Sequence, residues 1–262
     1  MPDEQLYDVI IGRIFNDHYR EGVTEFEFNR GELAEAAKAL GLDDPKNLGN
    51  LIYSFRYRKP LPARIGATAT GELKWIIEPA GRAKYRFRLS RVSRILPRED
   101  LIVVKIPDST PEIIAAYAQG DEQALLARVR YNRLIDVFLG ITTYSLQNHL
   151  RTTVKGMGQI GIDELYVGVS RNGQQFVIPV QAKGGNDQLA VIQTQQDIAC
   201  CEEKFAGLKC RPVSAQFMAD GVIAIFELAM QNGQIRVVDE KHYKLVPADR
   251  ITTEELQSYG ER

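Results

Sequence analysis

The chain has 262 residues, 44% hydrophobic and 26% charged, with a formal net charge of −1. That length holds one large or two modest domains, and the composition excludes a disordered chain. No apolar run approaches the roughly 20 residues that a membrane-spanning helix needs, so no membrane partner is expected. The acid-led start, Met1-Pro2-Asp3-Glu4, lacks the basic segment of a secretory leader. Cys200, Cys201 and Cys210 are too few and too clustered for a disulfide framework, and their spacing does not suit zinc. Free thiols in a cytoplasmic protein are expected.

Leu6, Val9, Ile10, Ile14 and Phe15 recur at helical spacing and predict a helix over 5–19. Gly22 ends it, and Glu25 to Phe28 alternates as a short strand. Asn29, with Glu32 three positions on, reads as a capped helix start, the helix running to about Leu40. Asp44-Pro45 opens a further helix that carries Leu48, Leu51, Ile52 and Phe55 on one side. Two short helices joined by a glycine-containing turn suggest a helix-turn-helix. Two strands follow, Leu73 to Glu78 and Lys84 to Leu89, with Pro79 to Arg82 as the turn. On the second, Lys84, Arg86 and Arg88 share one face, and Tyr85, Phe87 and Leu89 the other.

This region is also where the positive charge lies. Between Lys46 and Arg98 thirteen cations stand against Glu72 and Glu78, a net of +11, which leaves −12 for the rest of the chain. Such a block suits a polyanion, because neutralised phosphates release counterions. Helices followed by a cationic hairpin over residues 1–95 resemble a winged helix. That resemblance implies that Lys46, Asn47, Asn50, Ser54, Arg56, Arg58 and Lys59 approach the major groove of double-stranded DNA. It implies in turn that Lys84, Arg86 and Arg88 grip phosphates.

Residues 96–111, with Pro97, Pro107 and Pro111, read as a junction. Pro111 to Ala118 then predicts a helix, and Asp121 to about His149 a longer one or a broken pair. Its buried side would be Leu134, Val137, Phe138, Ile141 and Leu146, with a bend at Gly140. Gln147, Asn148, His149 and Arg151 form a polar cluster that either touches DNA or simply ends a helix. A hairpin comes next. Leu165 to Val169 and Phe176 to Val180 are apolar and partly β-branched, and Arg171-Asn172-Gly173 is a turn signal. A two-residue loop makes facing positions sum to 345 and sets Glu164 opposite Gln181. A three-residue loop, with Gly173 left-handed, makes them sum to 344 and sets Asp163 opposite Gln181, with Lys183 following on the same face. We adopt the second and keep Glu164 in reserve. A helix over 188–205 and strands over 213–217, 222–228 and 235–239 complete a mixed α/β pattern, and Thr252 caps a short last helix.

Asp163 on one strand and Gln181-Ala182-Lys183 on the next resemble the PD-(D/E)XK nuclease superfamily, in the Gln-x-Lys variant seen in Mrr-type restriction domains. The resemblance covers about residues 130–245. The departure from an acid at Gln181 removes one negative charge from a metal cage. The implied fold is α/β, with a winged-helix-like N-terminal domain and, over 112–262, a restriction-endonuclease-like mixed sheet flanked by helices. The implied activity is sequence-specific endonuclease cleavage of DNA with Mg²⁺. Asp163, the Gln181 amide oxygen and the Ala182 backbone carbonyl would hold the metal, and Lys183 would position or deprotonate the attacking water. Cutting both strands implies a homodimer. The alternatives are a DNA-binding regulator with an inactive nuclease-like domain, and a modification-dependent or repair nuclease.

Overall fold

The structure, a computed structural model, describes residues 3–42, 48–91, 94–117, 122–184 and 187–260. Lys46 and Asn47 lie outside the described residues. The chain divides into two compact units. The first is Met1–Arg94 with Thr152–Ile160 and Ala190–Ile192. The second is Ile95–Arg151, Gly161–Leu189 and Gln193–Arg262.

In the first unit, α1 (Asp3–His18) is followed by β1 (Glu25–Asn29) and α2 (Arg30–Ala39). Next come α3 (Leu48–Tyr53), α4 (Ala63–Gly66), β2 (Lys74–Gly81) and β3 (Lys84–Ser90). The start of α2 is tied by the Asn29 backbone N–H, which donates to Glu32 Oε1 at 2.7 Å. α3 runs into a wider π turn over Ser54–Arg58. The three strands pair antiparallel in the order β1-β3-β2, which brings the chain's first strand beside its third. Phe15, Leu33, Leu51, Phe55, Trp75 and Phe87 are buried in a shared core. Phe15 meets both Trp75 and Phe87 edge-on at 5.2 Å. The expected apolar side of the third helix is therefore met at Leu51, Ile52 and Phe55.

Most of one mixed sheet lies in the second unit. Its strands are β4 (Val103–Pro107), β5 (Thr142–Val154), β6 (Gly158–Val169), β7 (Gln175–Lys183), β8 (Lys209–Cys210), β9 (Val213–Phe217), β10 (Val222–Gln231) and β11 (Gln234–Val246). The order is β4-β11-β10-β9-β7-β6-β5, with β8 also on β7. β7 and β9 are parallel, and the helix Val191–Lys204 lies between them in sequence; the β6–β7 and β10–β11 pairs are antiparallel. We number the helices α5 (Glu112–Tyr117), α6 (Glu122–Tyr131), α7 (Leu134–Leu139), α8 (Val191–Lys204) and α9 (Thr253–Gly260). Leu125, Leu126 and Val129 of α6 pack with Leu134 and Ile135 of α7 against Ile178, Val180 and Ala182 of β7. A large mixed sheet flanked by helices is what the sequence predicts.

Two expectations need correction. The stretch 142–154 is a strand, not the end of a helix. Gly140 caps α7 in the left-handed conformation (φ +65°), its N–H bonding Asp136 O at 2.9 Å. Asp136 Oδ1 then accepts from Thr143 N at 2.8 Å and fixes the turn into β5. Val137 and Leu146, expected to be buried, are exposed as a result. Second, the supposed junction contains β4, which pairs in parallel with β11 from Val103↔His242 to Pro107↔Val246 and is part of the sheet.

Candidate functional site

The β6–β7 hairpin has the three-residue loop. Its pairs run from Val169↔Gln175 to Glu164↔Val180, and every pair sums to 344. Ser170 N donates to Gln174 O and Gly173 N to Ser170 O, both at 2.9 Å, with Gly173 at φ +80°. Extending that register sets Asp163 opposite Gln181 and turns Glu164 to the other face.

On the Asp163 face, Asp163 Oδ2 accepts from the Ala182 backbone N–H at 2.9 Å. Gln181 is buried. Its amide nitrogen donates to Gly161 O and to both oxygens of Asp197, each at 3.0 Å. Three acceptors around one end of the amide fix its orientation, so Gln181 Oε1 faces the Gln193 amide, which donates at 3.3 Å. Gln193 and Asp197 are four apart on α8 and so share one helix face. Lys183 is 7% exposed, and its ammonium donates to Glu122 Oε1, in the first turn of α6, at 2.7 Å. Ser214 and Gln216 of β9 lie in register with Gln181 and Lys183.

Burial, above all, raises the Asp197 carboxyl well above the usual range. The Gln181 hydrogen bond opposes that rise, and the nearby Asp163 charge adds to it. The buried amide oxygens Gln193 Oε1 and Gln216 Oε1 have no hydrogen-bond partner among the described residues. Also among the described residues, no cluster of three His, Cys, Asp or Glu side chains is arranged to hold a metal. The hard oxygen donors on this face are two carboxylates and unsatisfied amides. That chemistry fits a small divalent cation, which would relieve both the carboxylate repulsion and the orphaned acceptors. Gln181 Oε1 is not free for a metal as expected: it accepts from the Gln193 amide, and the Gln181 nitrogen bonds Asp197. Ala182 sits fully buried in the sheet, opposite Ala215 in register.

Glu164, held in reserve by the sequence reading, belongs to a different cluster. It is fully buried, and its Oε1 accepts from Arg130 Nε at 2.7 Å and Ser145 Oγ at 2.8 Å. Glu122, Arg130 and Ser145 carry no local sequence signal. Asp197 does: its four-residue spacing from Gln193 marks both for one face.

The expected DNA-binding residues of the first unit are more internally engaged than their charges suggest. Asn50 Nδ2 donates to Tyr7 Oη at 3.3 Å, and Ser54 Oγ to Asn50 O at 2.8 Å. Lys59 pairs with Asp8 at 2.7 Å. Arg56 and Arg58 lie over the rings of Tyr57 and Tyr53 at 4.9 and 5.0 Å. Arg86 pairs with Glu27 at 2.7 Å and Arg88 with Glu78 at 2.9 Å. The cationic face of β3 is thus partly neutralised by its neighbours β1 and β2. Lys84 is exposed.

No family model matches the chain, and no solved structure matches it. Over 72 residues, 28% of its length, the chain is 40% identical to an N-acetyl-D-glucosamine kinase of Erwinia tasmaniensis. The match spans 23% of that kinase, so it shows local similarity and no shared family.

Proposed function

We propose that the protein is a metal-dependent DNA endonuclease of the restriction type, with a winged-helix-like reader in its first unit. The carrying observation is the register that sets Asp163 opposite Gln181 near the carboxyl end of β7, where Gln181 bonds Asp197 and Lys183 ends the strand. Carboxyl ends of strands beside a crossover helix are where α/β sheets form sites. The sheet order β1-β3-β2, with α1–α4 in the same unit, supports the winged-helix reading.

Asp163 and Asp197 would hold Mg²⁺. When bound, it would lower the pKa of a coordinated water and neutralise phosphate oxygens. Gln181 fixes the Asp197 carboxylate by two hydrogen bonds and so stands in for the missing acid by positioning one from α8. Lys183, oriented by Glu122, stabilises charge developing on the phosphoryl group. On this reading the protein is cytoplasmic and acts on double-stranded DNA as a homodimer.

The second reading is a DNA-binding regulator whose nuclease-like unit does not cut. The 2.7 Å Lys183–Glu122 pair favours it, because it occupies the ammonium that catalysis would use. Plasmid incubated with the protein and Mg²⁺ or Mn²⁺ separates the readings. Discrete fragments from wild type, and none from Lys183→Ala with DNA binding kept, support the endonuclease. Binding without nicking at either metal supports the regulator. Cleavage confined to methylated plasmid identifies a modification-dependent enzyme. Cleavage retained in Lys183→Ala removes Lys183 from the mechanism.

A further inference from the structure

The hydrolytic reading leaves the cysteines unused, and two of them meet. Cys201 lies in the last turn of α8, and Cys210 lies on β8. Between them the chain turns back: Leu208 N bonds Phe205 O at 3.0 Å, and Gly207 is left-handed at φ +99°. β8 then pairs in parallel with β7, which sets Cys210 beside Val177. Val177, Leu165 and Cys201 form one apolar cluster, and Phe205, Leu208 and Cys210 close around it. A helix end and a short strand thus bring the two thiols into hydrogen-bonding contact, and both are free.

The two thiols differ in what can reach them. Cys201 is 1% exposed, whereas Cys210 is partly exposed. The Cys210 thiol and then burial hold the Cys201 proton on, well above the ordinary thiol value. A buried, protonated thiol is a poor first target for an oxidant. Cys210 can be met from solvent by a small one. Cys200 is fully buried and stands about 100° round the helix from Cys201. It therefore serves as an internal control.

We propose that Cys210 and Cys201 are a redox site that closes to a reversible disulfide under peroxide, with Cys210 the thiol attacked and Cys201 the thiol that resolves it. The Cys210 thiolate takes one oxygen of hydrogen peroxide and becomes a sulfenic acid. The hydroxide released takes up a proton and leaves as water. The Cys201 sulfur then attacks the Cys210 sulfur, the S–O bond breaks, and hydroxide leaves with the Cys201 proton as a second water. Two thiols lose two electrons and the peroxide gains them; a dithiol reductant reverses the step. Cys201 follows Gln193 and Asp197 at four-residue steps, so the bridge pins the helix face that carries them. The chemistry needs neither DNA nor a divalent metal, so a failed cleavage assay leaves it intact.

The full chain, reduced and then exposed to hydrogen peroxide, is blocked with iodoacetamide, digested with trypsin and read by mass spectrometry. Lys204 and Lys209 separate the two cysteines, so the bridge appears as two joined peptides, lighter than their sum by two hydrogens. Joined peptides are expected from wild type and from Cys200→Ala, and dithiothreitol should release them. Cys210→Ser, at a partly exposed position that should not disturb folding, should give none. In Cys201→Ala the Cys210 sulfenic acid should persist and be trapped by dimedone, which labels wild type far less. The native packing accepts the bridge, so the urea midpoint of oxidised wild type should equal or exceed that of the reduced protein. Loss of the bridge in Cys200→Ala overturns the proposal. So does passage of Cys210 to sulfinic acid in wild type without a bridge, a bridge confined to covalent dimers, or a lower urea midpoint after oxidation.

Discussion

Asp197 shares two hydrogen bonds with Gln181 in a setting where neither side chain sees solvent, and it lies close enough to Asp163 to feel its charge. If Asp197 holds the cation, Asp197→Asn keeps a hydrogen-bonding partner for Gln181 but loses the negative charge. The Mg²⁺ concentration for half-maximal cleavage should then rise about 10–100-fold, with the urea unfolding midpoint little changed. An unaltered Mg²⁺ dependence would make Asp197 a structural partner only. Gly168, in the middle of β6, tests the packing under the same hairpin. A Cβ there would stand 2.9 Å from Ile178 Cδ1 and 3.0 Å from Ile141 Cδ1. Gly168→Ala should therefore cost about 1–2 kcal/mol, read from urea unfolding; both contacts are side-chain tips, which keeps the cost below that of a backbone clash. The register that sets Asp163 opposite Gln181 was legible in the sequence because a turn signal fixes local pairing. Glu122 was not, because 61 positions separate it from Lys183 and only the packing of α6 on the sheet unites them.

The start of α2 links helix capping to pH. Burial alone would raise Glu32, but the Asn29 backbone N–H and then His18 outweigh it and hold the carboxyl below its ordinary value. A group depressed in the folded state adds stability above its unfolded pKa, about 4.3, and loses it as pH falls through the lowered folded value. Wild type should therefore lose stability on acidification below about pH 4.3, and Glu32→Gln should flatten part of that slope in thermal melts. On β3, the ion pairs of Arg86 and Arg88 change what a salt titration should show. Lys84→Gln is expected to lower the log–log salt slope of DNA binding by about 0.9, and Arg88→Gln by less, because Glu78 already screens Arg88. Equal effects would mean that the Glu78 pair opens on the duplex. The elements themselves were mostly readable from caps and alternation. The strand at 142–154 was not. Leu134, Phe138 and Ile141 keep helical spacing across Gly140, and the β-branched Thr142, Thr143, Thr152 and Thr153 that favour a strand count only once a neighbouring strand is there to pair with.

At the scale of the molecule, the near-zero net charge conceals a +11 block between Lys46 and Arg98 and a −12 remainder. The described part of that block lies almost wholly in the first unit, so on the proposed reading attraction to DNA and hydrolysis of DNA belong to different units. Raising salt should then weaken association steeply while changing the rate of a bound complex little. The number of sites decides what a bound complex produces. On the proposed reading the described part of each chain carries one hydrolytic centre, built on Asp163, Asp197 and Lys183, able to cut one strand per encounter. A single-chain enzyme must therefore convert supercoiled plasmid to the nicked form first, and to the linear form only after a second binding event. A two-fold dimer presents two centres to the two antiparallel strands and yields linear product without a lag. Because the proposed enzyme is a dimer, early time points should show linear plasmid appearing together with loss of the supercoiled form. Mixing wild type with excess Lys183→Ala should shift the product to nicked circles, since each mixed dimer keeps one competent centre. Nicked circles accumulating first with wild type alone, at protein concentrations where sedimentation shows a monomer, would assign both cuts to one chain acting twice.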